Sequence, residues 1–338
     1  MQGLIDSTLR EGAQSVGVHF SMQDKVEIVK QLTEIGIEEI ELGIAAVGAE
    51  PLDGLFSRCR PLQKKSRFAL WCRCNKEDIA AAAQLHPDVL SLSIPASDLH
   101  LHEKLGRDRK WAATSLRAAI HQARNMGLKY ISVGFEDAGR ADPLFVKQLA
   151  QIVHQNGGQR IRLADTVGTC SPGQIQEMIT CLRQTTPLAI GIHAHNDFGM
   201  ATANTITALA AGADWGDVSV LGLGERAGMA RLEEVAGFLA LQNHRPTYRP
   251  ELLKLLCETV SRASKRNIEP HHPVIGEEIF ACETGLHLQG LLREPSTYEP
   301  FNPQLVGSER RLLFGAKAGK RAIQRLLANH QQITPATT

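Results

Sequence analysis

Short apolar runs rich in Val, Ile and Leu alternate along the chain with longer stretches whose apolar residues recur at three- and four-residue intervals. The first pattern predicts buried strands; the second predicts helices with one face turned inward. The strand candidates are GLIDST, IEEIELG, FALWCR, DVLSLSIP, YISVGFED, IRLADT, LAIGIHAH and DVSVLGLG. Between them lie MQDKVEIVKQLTEIG, KEDIAAAAQLH, KWAATSLRAAIHQARNMG, PLFVKQLAQIVHQNG, SPGQIQEMITCLRQ and MATANTITALAAG. Several of these start on Ser, Asp or Pro and stop on Gly, as helix-end chemistry prefers. The helical pattern is weakest around Pro51 to Gln63.

Eight strand–helix units within about 240 residues predict an α/β fold, a closed (β/α)8 TIM barrel. An open doubly wound sheet usually has fewer units and a Gly-rich first turn, and no GxGxxG follows the first strand. The barrel is expected over residues 1–241, with a smaller, mainly helical C-terminal region over 242–338. Polar residues gather at the C-terminal ends of the apolar runs: Asp6 with Arg10 and Glu11, Glu41, Arg73 and Asn75, Glu136 and Asp137, Asp165 and Thr166, His193 and His195, Glu225 and Arg226. That is the face on which barrel enzymes carry their chemistry.

Composition narrows the partners. The 37 basic and 36 acidic side chains of the 338-residue chain nearly cancel, so no charge field argues for nucleic acid or an anionic membrane. A small-molecule enzyme suits that balance. The seven cysteines include no CxxC pair, which argues against a disulfide framework or a zinc cage. With no apolar run of about 18 residues and no signal-like start, a cytoplasmic location is expected.

GIHAHNDFG, Gly191 to Gly199, carries the sharpest chemical signal. Residues two apart on a strand share a face, roughly 6.5–7 Å apart at Cα, so His193 and His195 aim into the same space at the barrel mouth. They either hold a divalent cation together or cap the strand end through backbone hydrogen bonds. The loop after the first strand, DSTLREGAQ, offers Asp6, Arg10, Glu11 and Gln14 nearby, because only strand eight separates strands one and seven in a closed ring. One carboxylate with two imidazoles would leave positions open for substrate oxygens. Alternatively, Glu11 forms an internal ion pair with Arg10 or another arginine.

DSTLREGAQ, ADTVG, HAHNDFGMATANT and GLGERAGMARLEEV, in this order, resemble the motifs of the metal-dependent, acyl-CoA-condensing barrel family of isopropylmalate, citramalate and homocitrate synthases, with the related HMG-CoA lyases. IELGIAAVG, WCRCNKEDI and LSIPASDLHLHEKLGRDRKW are similar to homocitrate synthases of the nitrogen-fixation type. The resemblance implies Glu11, His193 and His195 as metal ligands, with Zn, Mn, Fe or Co suiting the donors and Mg less so. It also implies that Arg10 polarises the carbonyl of a 2-oxo acid and that Gln14 and Thr166 contact the same substrate. Glu136 is the family-matched carboxylate at the end of strand five. In FACETGLHLQGLLREPSTYEPF, His287 and Tyr298 match an acid–base pair of the C-terminal region, whose tyrosine in this family reaches the site of a neighbouring subunit. A homodimer with a C-terminal lid and dimerisation region is therefore expected. Read without the resemblance, His287 is a loop histidine on a helix end and Tyr298 a packing aromatic.

The expected reaction is a Claisen condensation of acetyl-CoA with a 2-oxo acid, 2-oxoglutarate giving homocitrate, with hydrolysis of the thioester. Arg73 is the candidate cation for the second carboxylate. Alternatives are the same chemistry on oxaloacetate, pyruvate or a phosphonate analogue, a retro-aldol acyl-CoA lyase, and a non-catalytic metal-dependent binding protein. The loop GLGERAG lacks the cysteine that lyase members keep, which favours condensation. Its Glu225 and Arg226 are read as facing inward, as a structural ion pair or a substrate contact. Three departures stand out: Met229 in place of the usual asparagine, Cys282 in place of the first histidine of HESGIH, and GAKAGKRA in place of the GKHSG version. With the chain ending soon after QRLLANHQQITPATT, no leucine-responsive regulatory domain is expected.

Overall fold

The computed structural model describes residues 1–46, 50–243, 245–314 and 334–335. Eight parallel strands close into a ring in chain order: β1 (Gly3–Asp6), β2 (Glu39–Ile44), β3 (Arg67–Arg73), β4 (Val89–Pro95), β5 (Ile131–Glu136), β6 (Arg160–Asp165), β7 (Ala189–Ala194) and β8 (Trp215–Val218). β1 pairs with both β2 and β8, which closes the barrel. The outer layer is α1 (Met22–Ile35), α2 (Asp53–Cys59), α3 (Lys76–Gln84), α4 (Arg109–Asn125), α5 (Pro143–Gln155), α6 (Pro172–Arg183), α7 (Ala201–Ala210) and α8 (Leu232–Leu241).

Local chemistry sets the helix ends. Ser21 and Asp24 form a reciprocal capping box on α1, and Gly36 ends that helix in the left-handed region at φ 99°. Ser171 with Gln174 does the same for α6, with Pro172 at its first position. The weak pattern near Pro51 yields only the seven-residue α2 and a 3-10 turn, Arg60–Leu62.

β8 is shorter and earlier than DVSVLGLG suggests. Leu221 adopts φ 58°, and the chain turns through Val220–Gly222 instead of extending. The Ser219 hydroxyl donates to the Leu223 carbonyl at 2.6 Å, fastening that turn.

The barrel interior is charged where Val, Ile and Leu layers are usual. Alternate residues of β2, Glu39 and Glu41, face alternate residues of β6, Arg160 and Arg162, and all four are buried. Arg160 donates to both oxygens of Glu39 and to the Ser132 hydroxyl, the last at 2.9 Å. Nearer the mouth, Arg162 bridges Glu41, Ser91 and Asp217. Gly191 makes room for it, since a Cβ there would lie 2.9 Å from Arg162 Cγ. Removing one partner from such a layer leaves an uncompensated buried charge.

Beyond α8, α9 (Leu253–Ser264) packs on α1, with Leu253, Leu256, Cys257 and Val260 in the barrel's own core. His272 Nε2 lies 2.7 Å from Glu233 Oε1, tying the following segment to α8. α10 (Gly285–Arg293) then carries Leu288 into a separate small cluster with Cys282, Leu292 and Leu312. The region is helical as expected, with a three-stranded sheet added by β9 (Ala281–Cys282), β10 (Arg311–Phe314) and β11 (Thr334–Pro335). GAKAGKRA lies outside the described residues. Among the described residues no helix is long and apolar enough to cross a membrane.

Candidate active site

The loop after β1 is fixed at both ends. Asp6 accepts from the backbone N–H and hydroxyl of Thr8 at 3.0 and 2.8 Å, and Thr8 Oγ1 accepts from the N–H of Val220 at 2.9 Å. Ser15 exchanges hydrogen bonds with both backbone groups of Gly224. The loop is thereby pinned against the β8 turn, and Arg10, Glu11 and Gln14 face the mouth. Asp6 is buried beneath them, and burial raises its carboxyl to about 7.

Glu11 faces both imidazoles. Its Oε2 is 3.9 Å from His193 Nε2, and its Oε1 is 3.9 Å from His195 Nε2. The two rings are 5.1 Å apart at an interplanar angle of 71°. His193 Nδ1 lies 2.8 Å from Asp217 Oδ2 on β8, so Nδ1 donates to the carboxylate and Nε2 is turned toward Glu11. His195 is buried, and its Nδ1 has no hydrogen-bond partner. Glu11 is also ion-paired to Arg10, whose Nε donates to Glu41 at 2.8 Å. The ion pair read as an alternative for Glu11 therefore exists alongside its approach to the histidines.

One donor atom from each of Glu11, His193 and His195 lies within 4.8 Å of the others. A cation with bonds of about 2.0–2.2 Å to O and N donors spaces its ligands roughly 3–4.4 Å apart, so these three residues fit a divalent metal. The charge states agree. Burial pushes the Glu11 carboxyl up, but Arg10 and then the two imidazoles outweigh it and hold it below the usual carboxylate value. Burial, then His193, lowers His195 to about 4, leaving a neutral imidazole at pH 7. Glu41 is held far below its ordinary value: burial opposes ionisation, and Arg10 and Arg162 overcome it.

These groups open onto a cavity of about 240 Å³. Arg10, Glu11, Gln14, Glu136, Thr166, His193 and His195 all line it, as does Glu225. Arg226 instead grips Asp197 at 2.9 Å and the Thr166 carbonyl at 2.6 Å, locking three mouth loops together.

Three expected site residues lie elsewhere. Arg73, the expected cation for a second carboxylate, is not brought to the cavity; its guanidinium pairs with Asp78 at 2.7 Å on the first turn of α3 and stays largely exposed. His287 and Tyr298 stack on each other at 4.1 Å, but both are exposed and neither lines this chain's cavity. Met229 is buried and bridges to His195 through the backbone.

Sequence reasoning missed Arg162, Lys104, Trp71, Ser91 and Ser93, which also line the cavity. The Arg160/Arg162 and Glu39/Glu41 alternations were the available signal for the charged interior. Lys104 had none, since it sits in an irregular turn.

The HMGL-like family model matches residues 2–259, and a homocitrate synthase post-HMGL domain-like model matches residues 274–335. The chain belongs to the HMGL-like family. A homocitrate synthase from Frankia alni is 42% identical over 336 residues, covering 96% of this chain and 92% of that protein. A 2-isopropylmalate synthase 2 from Caldanaerobacter subterraneus is 37% identical, covering 95% of this chain and 83% of that protein. A hydroxymethylglutaryl-CoA lyase structure from Pseudomonas aeruginosa superposes with a TM-score of 0.69 at 20% identity, covering 77% of this chain and 92% of that chain. That likeness speaks to the fold alone. Within the family, the two relatives and the post-HMGL match make this chain one of the homocitrate synthase-related condensing enzymes.

Proposed function

We propose that the protein condenses acetyl-CoA with 2-oxoglutarate and, with water, releases homocitrate and CoA. The observation that carries this reading is the convergence of Glu11, His193 and His195 on one cation-sized space, beside Arg10, in the lining of a cavity of about 240 Å³. Similarity to a homocitrate synthase across nearly the whole chain supports the same chemistry.

A divalent cation bound to the three ligands supplies Lewis acidity to a substrate carbonyl. Arg10, fixed by Glu41 and Glu11, meets the negative charge that develops on the keto oxygen as the acetyl methyl carbon attacks. Thr166 Oγ1 accepts from the N–H of Asp137 at 2.8 Å, which frees its own proton for the 1-carboxylate, and Gln14 offers an amide donor alongside. Glu136, held by Ser93 and Lys104, orients the acid–base groups near the acetyl methyl. His287 and Tyr298, exposed on the C-terminal region, serve the cavity of a second copy and move the methyl proton there, so a homodimer is part of the proposal. In this reading residues 1–241 are the catalytic barrel, α9 docks into its core, and the lid and dimerisation role falls to the described segment around α10.

The test is CoA release from acetyl-CoA by metal-loaded protein against 2-oxoglutarate, oxaloacetate, pyruvate, 2-oxoisovalerate and a phosphonate analogue, with product mass. 2-Oxoglutarate should give the highest kcat/KM and a product of homocitrate mass. Absence of oxo-acid-dependent CoA release, or cleavage of a hydroxyacyl-CoA instead, contradicts the proposal.

A further inference from the structure

We propose that Lys104 receives the second carboxylate of the oxo acid and so sets a preference for 2-oxo diacids over monoacids; this rests on the condensation reading above. Lys104 ends a π-helical turn, His100–Lys104, that follows β4. Leu101 anchors the turn in the core, and Ser97 Oγ accepts from the N–H of His100 at 3.1 Å. Turns of this wider kind interrupt regular structure and often occur at functional positions.

Ring closure decides where Lys104 stands relative to the candidate metal ligands. With the strands in chain order, β4 and β5 lie across the barrel from β8 and β1. Lys104 and Glu136, after β4 and on β5, line the same cavity across the ring from Glu11, which follows β1, while His193 and His195, on β7 and its end, lie two to three strands round. An oxo acid held by its keto-carboxylate end beside Glu11, Arg10 and the imidazoles points its far end at the wall of Lys104 and Glu136.

The charges there decide what the far end can be. Glu136 would repel a second carboxylate by itself, and its Oε1 already accepts from Ser93 at 2.7 Å. Lys104 Nζ donates to Glu136 Oε2 at 3.0 Å, leaving two ammonium protons for another acceptor. Its side chain is 56% exposed, so it can follow a ligand. Among the described residues, the cavity's two arginines are taken: Arg10, tied to Glu41 and Glu11, meets the keto end in the reading above, and Arg162 is held by Glu41, Ser91 and Asp217. His100 faces Glu136 and Asp137 from the same turn, at 4.0 and 3.7 Å. Among the described residues, Lys104 is thus the cavity cation left for the far end of the oxo acid.

The experiment compares 2-oxoglutarate with 2-oxopentanoate, which has the same length and a methyl group in place of the second carboxylate. For Lys104→Gln, KM for 2-oxoglutarate should rise roughly 10- to 100-fold, the range of one lost charge-assisted hydrogen bond. KM for 2-oxopentanoate should stay within about twofold, any fall in kcat from loosening Glu136 should be the same for both oxo acids, and Lys104→Arg should recover most of the preference. Calorimetric binding of the two oxo acids to the metal-loaded variant should show the same split without turnover. An equal rise in KM for both oxo acids, or a rise in KM confined to acetyl-CoA, overturns the assignment while leaving the condensation reading intact. Wild-type protein that releases no CoA with any oxo acid overturns both.

Discussion

Asp217→Asn changes one atom type in the buried link between the candidate ligands and the charged interior. Asp217 Oδ2 accepts from His193 Nδ1 at 2.8 Å and also from Arg162, on a side chain with no solvent exposure. The carboxylate fixes the His193 tautomer, turns Nε2 toward Glu11 and raises the basicity of that nitrogen. An asparagine keeps the shape but gives up the charge, and its amide can present a donor where His193 needs an acceptor. Loss of such an outer partner typically lowers metal affinity 10- to 100-fold, which corresponds to about 1.4–2.7 kcal/mol. Competition for Zn or Mn against a chromophoric chelator at pH 7.5 measures this directly, and urea unfolding of the metal-free proteins reports any separate loss of stability. Arg162 keeps Glu41 and Ser91, so the fold should survive. Wild-type affinity in the variant would refute the idea that Asp217 prepares His193 for ligation.

Other perturbations probe the frame around the site. Glu41→Gln strips two buried guanidiniums of a shared counter-charge and should lower unfolding free energy by about 3–5 kcal/mol, read by urea titration; a loss below about 1 kcal/mol contradicts the network. Gly191→Ala places a methyl against Arg162 Cγ and should cost about 1–3 kcal/mol in the same titration, with wild-type stability the contrary result. Asp6 gives a pH signature. Its native carboxyl is raised to about 7 by burial, so between about pH 4 and 7 the unfolded chain ionises this group while the native state keeps it protonated. Stability is therefore lost as pH rises through that window, by up to about 4 kcal/mol. Wild type minus Asp6→Asn isolates this term, and a pH-independent difference argues against it.

Much of the fold was legible because strand and helix periods differ, and eight repeats of the pair leave few ways to close. The end of β8 was not legible, since Leu221 takes a left-handed conformation that β-type composition does not signal. The HxH of β7 was legible for the simple reason that strand period sets both rings on one face. Residue type alone did not single out Glu11 in its polar loop, although the DSTLREGAQ resemblance did; the fold supplies the physical reason, since Asp6 turns inward to Thr8 while Glu11 turns to the imidazoles. Trp71 lines the cavity, and Arg73, two positions on, shares its parity in β3. Yet a buried Asp78 in the first turn of α3 draws the Arg73 guanidinium away from the mouth, a contact that strand period cannot reveal. Lys104 was hidden for the converse reason, because a π-helical turn obeys neither of the two periods.

Anomalous diffraction at the Zn or Mn edge from crystals of metal-loaded protein tests the central claim most directly. A single strong peak should lie about 2.0–2.3 Å from one Glu11 carboxylate oxygen and from Nε2 of both His193 and His195. A peak bound elsewhere, or none among these three residues at full metal loading, would contradict it.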